Sequence, residues 1–543
     1  MAIPVRKLGQ YGEISIEVPE EEAPPNSWTE ARNVDFRDGI AGSAKGYSDL
    51  GNTVVVRPQM IMPYTDPDTG TLNWVYAGDD NTPKGRVATY NGTTDTDITN
   101  TATYATGYNT TTNWTGAVVN GLMMINNPNH IPQIWDRTTG TLNNDLTDVS
   151  TATNYWTSTK TAEVIRGFRN FFIALDITDT ATNPDRNPYE IMHSGIVDPY
   201  TEPEWAPLTT NSAGSKYISE GAGYLVDCLP LRNYNMVYTE RETWFMQYIG
   251  GNEVFAVDKA MGEYGLFAPS CVCNVGEGRH FLVSTGDIVI HDGTNAESIV
   301  DSRVRNKIFD NLDSDNFKNS FVVPYYTHNE IWFFYPSSGQ TYPNRVAKWG
   351  IKTNTWSLMN LPDAIACAAY GAVPASTTGA LLWSTITSEW NTVDALWNEG
   401  NYNPSILSLM LGHYDSTVAG SNLFKGDDTN QYNGSSFTSR LKKEGLTLVQ
   451  TREGVVSDPS VYKICDRIKP LVTGGPINVR VGGKDELADT YNWEGPYSFN
   501  PATDYKLDFR VGGRYLAVEF YTDSNVSWEL SGYDMDVRPD GER

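Results

Sequence analysis

Asn235-Met-Val-Tyr-Thr-Glu-Arg-Glu-Thr-Trp-Phe-Met-Gln-Tyr-Ile249 is two short strands on either side of a four-residue turn. Its β-branched and aromatic residues suit a pleated, half-buried surface, and Thr239-Glu-Arg-Glu242 is too polar and too brief to be anything but the link between them. The same texture spreads outward in both directions. Val164–Leu175 lies upstream; His280–Val283, Asp287–His291, Glu330–Tyr335 and Arg345–Trp349 lie downstream, with Ser284-Thr-Gly286 and Lys352-Thr-Asn354 as tight turns. No segment keeps apolar residues at helical spacing over four turns, so the reading is a meander of antiparallel hairpins. Units that end in an aromatic residue or His, often before Asn-Gly or Asp-Gly, recur: Trp74 to Tyr90-Asn-Gly92, Gly121 to Trp135-Asp136, Phe281 to His291-Asp-Gly293, Ile331 to Trp356 and Leu423 to Tyr432-Asn-Gly434. Their spacing, roughly 40–60 residues, is near that of a four-stranded propeller blade. The expected fold is all-β, an irregular β-propeller of about six blades over residues 46–438.

The flanks read differently. Residues 1–45 include the Pro- and Glu-rich Glu17–Pro25 and are expected to form an arm used in closure or subunit contact. Residues 91–160 and 372–420 are expected as long inserted loops, because Asn91–Thr115 and Thr138–Thr153 are rich in Thr and Asn and poor in apolar residues. From Ser439 to Arg543 regular alternation returns, as in Ile477-Asn-Val-Arg-Val481 and Tyr515-Leu-Ala-Val-Glu-Phe-Tyr521, and predicts a separate C-terminal β-sandwich-like platform domain.

The chain has 543 residues, 40 Lys plus Arg against 66 Asp plus Glu, and a formal charge of −26. A protein that grips DNA neutralises phosphates with clustered basic residues, and here these stay in small groups such as Arg303/Arg305/Lys307. With 18 Phe, 15 Trp and 31 Tyr the chain is not of the disordered acidic class. The N-terminus MAIPVRKLGQYG has no apolar core of a secretory signal, and no apolar run reaches membrane-spanning length. Synthesis in the cytoplasm with reduced thiols is expected.

Chemistry-bearing patterns are weak throughout. His130, His193, His280, His291, His328 and His413 are dispersed, with no metal-ligand spacing. Cys271 and Cys273 read as structural thiols. Asp313/Asp315 and Asp95/Asp97 lack the Gly and bidentate Glu of a calcium loop. Glu240, Glu242 and Glu330 flank hairpin turns, where a carboxylate is usually solvated, and Trp244, Trp332, Trp349 and Trp356 read as packing residues. No phosphate-binding glycine loop occurs. The expectation is therefore no enzyme, no catalytic, metal or cofactor-binding residues, and no cofactor.

Several segments together carry a resemblance. Pro24-Pro-Asn-Ser-Trp28, Asn33-Val-Asp-Phe-Arg-Asp-Gly39, Gly46-Tyr47, Leu229-Pro-Leu-Arg232, Met246-Gln-Tyr-Ile-Gly-Gly251, Ala268-Pro269, Asn329-Glu-Ile-Trp332, Arg514-Tyr-Leu-Ala517 and Gly532-Tyr-Asp-Met-Asp-Val537 resemble the tail nozzle of short-tailed bacteriophages, the tail tubular protein B family. The resemblance implies a virion structural protein: a homohexamer ring below the portal and adaptor (head–tail connector) that continues the DNA ejection channel. Tail fibres or spikes and a tail needle or tip are further partners it suggests; genomic DNA would pass without specific binding, and no membrane is involved. Acidity fits, since a wall that binds phosphate weakly lets DNA slide. The alternative is a β-propeller glycan-binding or glycan-hydrolysing protein; its catalytic carboxylate pair would have to be found among many surface acids.

Overall fold

The computed structural model describes residues 3–8, 24, 26–80, 84–100, 114–135, 137–138, 141–142, 145–149, 156–157, 159–182, 185–218, 221, 223–300, 302–373, 407–451 and 454–542. Apart from the helix Ser302–Phe309 and four short 3-10 turns, the regular structure described is β. Seven four-stranded antiparallel sheets follow one another along the chain. Blade 1 is Arg57–Thr65, Leu72–Asp79, Gly85–Tyr90 and Asp95–Asp97; blade 2 starts at Thr115–Val119, blade 3 at Lys160–Phe168, blade 4 at Leu225–Leu231, blade 5 at Val272–Gly276, blade 6 at Phe321–Tyr325 and blade 7 at Ile365–Ala372. The first strands of successive blades pack side by side, and that of blade 7 packs on that of blade 1. The ring is closed, which leaves only short edges at the blade rims.

The expected count of about six blades is thus corrected to seven. Blade 2 is the unit Gly121 to Trp135, but its strands Thr115–Val119, Leu122–Asn126, Gln133–Trp135 and Thr147–Asp148 lie inside the stretch 91–160 also expected as an inserted loop. Short strands separated by Thr- and Asn-rich sequence dilute the hydrophobic signal, although Leu122 to Ile125 are all buried. Residues 101–113 lie outside the described residues, as do 374–406; Leu407–His413, within the second expected loop, and Asn422–Gly426, just beyond it, are the middle strands of blade 7.

Blade 7 takes its fourth strand from the other end of the chain. Tyr47–Asp49 pairs with Asn422–Gly426 through Tyr47↔Gly426 and Asp49↔Phe424. Tyr47 is clamped between Phe424, 4.8 Å away between centroids, and Tyr432, 5.1 Å away, and its hydroxyl donates to Asp363 at 2.5 Å.

Residues 439–542 supply most of a two-sheet sandwich, but the N-terminal segment completes it. One sheet runs Val34–Arg37, Ile40–Ser43, Trp528–Glu542, Val461–Gly474, Leu507–Gly513, with Ile3–Leu8 also on Trp528–Glu542; the other runs Glu30–Arg32, Ser439–Leu446, Tyr515–Thr522, Ile477–Lys484, Asn492–Phe499. Trp28, Val34, Leu441, Val479, Phe520, Trp528 and Tyr533 meet between them. The arm expected over 1–45 is, from Glu30 to Ser43, part of both sandwich sheets.

Candidate functional site

Because every blade is an up-and-down meander, first strands begin and second strands end on one face of the ring, here the upper face. A cavity of about 440 Å³ on the ring axis is lined by the first strands of all seven blades, for example by Met60, Gly116, Arg166, Asp227, Cys273, Val322 and Cys367. Its polar centre is closed on itself. Arg166 donates from Nε and Nη2 to the two oxygens of Asp227, each at 2.7 Å, and to Ser270 Oγ at 3.1 Å. The Cys228 and Ser270 amides donate to the same carboxylate. Burial works against the Arg166 charge, but Asp227 outweighs it and holds the guanidinium protonated beyond its ordinary range. A carboxylate with four donors has nothing left for a substrate.

A second cluster welds sandwich to propeller. Asn33 sits at φ 53°, a left-handed conformation that Asn tolerates. Its amide donates to Leu358 O, its Nδ2 to Thr438 O, and its Oδ1 accepts from the Asn360 amide. Two residues on, Asp35 meets Lys348, whose Nζ lies 3.0 Å from both carboxylate oxygens and 3.9 Å above the Trp332 ring. Arg37 forks between Glu330 (2.7 and 3.0 Å) and Asp427 (both 3.2 Å), and Asp427 also accepts from the Tyr325 hydroxyl. Burial pushes the Asp35 carboxyl up, but Lys348 and Arg37 together hold it below the usual range. Nearby His328 is pushed down by burial and by Arg37. Glu330, expected to be solvated beside its turn, is only 6 % exposed, because the N-terminal segment covers it.

The dispersed histidines are partly brought together. Tyr238 Oη lies 2.7 Å from His280 Nδ1 and 2.9 Å from His291 Nε2, while His280 Nε2 faces Pro230 O at 3.0 Å and the Gly293 amide donates to His291 Nδ1. One proton arrangement satisfies every contact: His291 Nε2–H to Tyr238, Tyr238 O–H to His280, His280 Nε2–H to Pro230, both imidazoles neutral. Burial accordingly lowers His280 to about 4 and His291 to about 3. This chain was invisible in the sequence, where 42 and 53 residues separate Tyr238 from its partners.

The remaining candidates stay apart. Cys271 and Cys273 are both buried, and burial raises both thiols. Asp313 caps its own turn by accepting from the Asp315 and Asn316 amides, Asp95 accepts from Tyr76 and Asn52, and Asp97 from Thr99. Trp332, Trp349 and Trp356 are buried and Trp244 is half-buried. Among the described residues no three His, Cys, Asp or Glu side chains group to hold a metal ion, and no helix is long and apolar enough to cross a membrane.

A larger cavity, about 760 Å³, opens on the upper face where blades 1, 6 and 7 meet. It adjoins the axial cavity, with Gln59, Asn319 and Ala366 lining both.

No protein-family model and no curated protein matches the chain. Among solved structures, the chain is similar to the extracellular domain of a hybrid two-component system from B. thetaiotaomicron (13 % identity, TM-score 0.33, covering 68 % of this chain and 41 % of that one). It is also similar to Raptor from Chaetomium thermophilum (8 % identity, TM-score 0.36, covering 70 % and 29 %). The chain thus spans less than half the length of either.

Proposed function

We infer that this chain is a non-enzymatic building block of a short-tailed phage tail, repeated as a homohexameric nozzle ring below the portal and adaptor and continuing the DNA ejection channel. The observation that carries the reading is the weld. Asn33, Asp35 and Arg37 tie the sandwich to blades 6 and 7 through buried, mutually satisfied groups, and the same segment supplies strands to both sandwich sheets before closing the propeller ring. Two bodies fastened in this way move as one, which suits a subunit that must hold its shape while genome and pressure pass.

The resembling segments support the reading by their positions. Asn33–Gly39 and Gly46-Tyr47 form the weld and the closure, Leu229–Arg232 belongs to blade 4, and Gly532–Val537 pairs inside the sandwich.

Mass photometry of the full chain, alone and mixed with the adaptor ring of the same particle, tests the proposal. A sixfold assembly in either sample is expected. A chain that stays monomeric with the adaptor present, and is missing from the tail in images of the particle, would sink it.

A further inference from the structure

The geometry points to the 760 Å³ cavity on the upper face as a binding site for a neutral saccharide, of the size of one to three sugar units, with Tyr342 and Tyr414 as its aromatic platform. The volume lies inside the range of small-ligand sites, about 300–1,000 Å³. The two tyrosine rings sit 4.1 Å apart between centroids, tilted by 35°; both residues line the cavity and both are half-buried.

Both rings are held in place from behind. Gln59 Nε2 donates to Tyr342 Oη at 3.0 Å. The Tyr414 hydroxyl donates to Asp79 at 3.3 Å, and the Arg57 guanidinium lies 5.0 Å from the centre of the Tyr414 ring. Polar side chains of both characters complete the wall: Asp363 and Asp415 as acceptors, Asn316 and Asn319 as amides, and His413. His413 lies flat on Phe424, 5.2 Å away, and its Nδ1 is buried without a hydrogen-bond partner. A buried ring nitrogen left unpaired costs stability.

Charge decides the ligand class. The one guanidinium among the described wall residues is spent, bonded to Asp79, Ser416 O and Asp80 O. With Arg57 and Asp79 neutralising each other, two carboxylates, Asp363 and Asp415, remain to repel a phosphate, sulfate or uronic acid. A cation is not favoured, since these carboxylates do not group as a metal site among the described residues. An apolar ligand would desolvate Asp363 and Asp415 and offer no hydrogen bond in return. A neutral polyol with one C–H face for the rings and hydroxyls for the wall uses all of it. By strand direction the Arg37 network lies at the opposite, lower side of blades 6 and 7, so sandwich and cavity do not compete. The inference does not rest on the ring reading; it holds for one copy or six.

Saturation-transfer NMR on the full chain, with glucose, galactose, N-acetylglucosamine, lactose and maltotriose as probes and glucuronate as the charged comparison, tests it. At least one neutral sugar is expected to give transfer and glucuronate none. Tyr342→Ala and Tyr414→Ala should each weaken the binding sugar by about tenfold or more, while Tyr505→Ala on the sandwich leaves it unchanged. Tyr342→Phe, which keeps the platform and the fold, should bind within a few-fold of the natural chain. No transfer from any neutral sugar, or equal transfer in both alanine variants, overturns the assignment.

Discussion

The propeller and the sandwich are both antiparallel β, yet they are built on opposite plans. Each of blades 1 to 6 is one uninterrupted stretch of chain, whereas the sandwich joins strands near residue 30 to strands near residue 530. Local hairpins close with little loop entropy; non-local pairing must wait until the rest is in place. The lesson is that residues 28–49 are the one segment on which both bodies depend. The comparison breaks if the sandwich is self-sufficient. Expressed alone, residues 439–543 lack four strands and the central Trp28, and are expected to show no cooperative melting. Residues 44–438 retain every blade and the Tyr47 strand, and are expected to melt cooperatively. A sharp transition from the isolated 439–543 fragment would refute the plan.

The next largest effect sits where the two bodies meet. Lys348 is 2 % exposed and its ammonium is paired with Asp35. Asp35→Ala would leave a buried charge facing a gap, and removing one partner of such a pair costs about 3–5 kcal/mol. Replacing both, Asp35→Leu with Lys348→Met, should restore most of the loss, because two apolar groups need no partner. Urea denaturation of the three chains measures this; equal midpoints for the single and double variants would show that Lys348 finds another partner.

Acid and alkali should separate the two bodies. In the propeller His280 and His291 are neutral when folded and protonate only near pH 4 and 3, while an unfolded imidazole protonates near 6.5. The unfolded chain therefore binds more protons between these values, and the stability from the neutral pair, complete above pH 6.5, drains away as pH falls toward 3. For His280 this amounts to about 3 kcal/mol. In the sandwich the sign is the same but the window moves. Burial lowers Lys443 and Lys463 to about 8, so unfolded chains hold more protons between pH 8 and 10.5, and the sandwich gains stability as pH rises through that window. Thermal melts of the natural chain and of His280→Asn/His291→Asn between pH 4 and 7 check the first half. An acid slope that persists in the double variant would assign it to carboxylates instead.

What the sequence made legible follows the same division. Thr239–Glu242 is the predicted turn, with Tyr238 pairing Thr243 across it, because a hairpin's information is contained in its own residues. Alternation in Ile477–Val481 and Tyr515–Tyr521 marked sandwich strands for the same reason. What could not be read needed partners far along the chain. Tyr47-Ser-Asp49 has no strand signature of its own and is a strand only because Phe424 and Gly426 await it. Glu330 looks wet until Arg37 reaches it. The cavity walls come from residues as distant as Arg57, Tyr342 and Tyr414, each unremarkable in its local context, so no motif spacing could announce them.

The smallest expected effect asks how the ring is fastened. Tyr47 contributes in two ways, through its ring between Phe424 and Tyr432 and through its hydroxyl on Asp363. Burial and the Asp363 charge both push the phenol well above its usual range, so the hydroxyl remains a donor at any pH the fold survives. Tyr47→Phe keeps the stack and removes one bond to a carboxylate, a loss of about 1.5–3 kcal/mol if the bond is dry and less if water replaces it. Tyr47→Ala removes the stack as well and should cost more, about 3–5 kcal/mol by analogy with other buried aromatic truncations. If closure is made by the backbone ladder alone, both variants will match the natural chain; if the stack fastens it, the alanine variant will expose the edge of Asn422–Gly426, and hydrogen exchange there will rise while exchange in blade 4 stays unchanged.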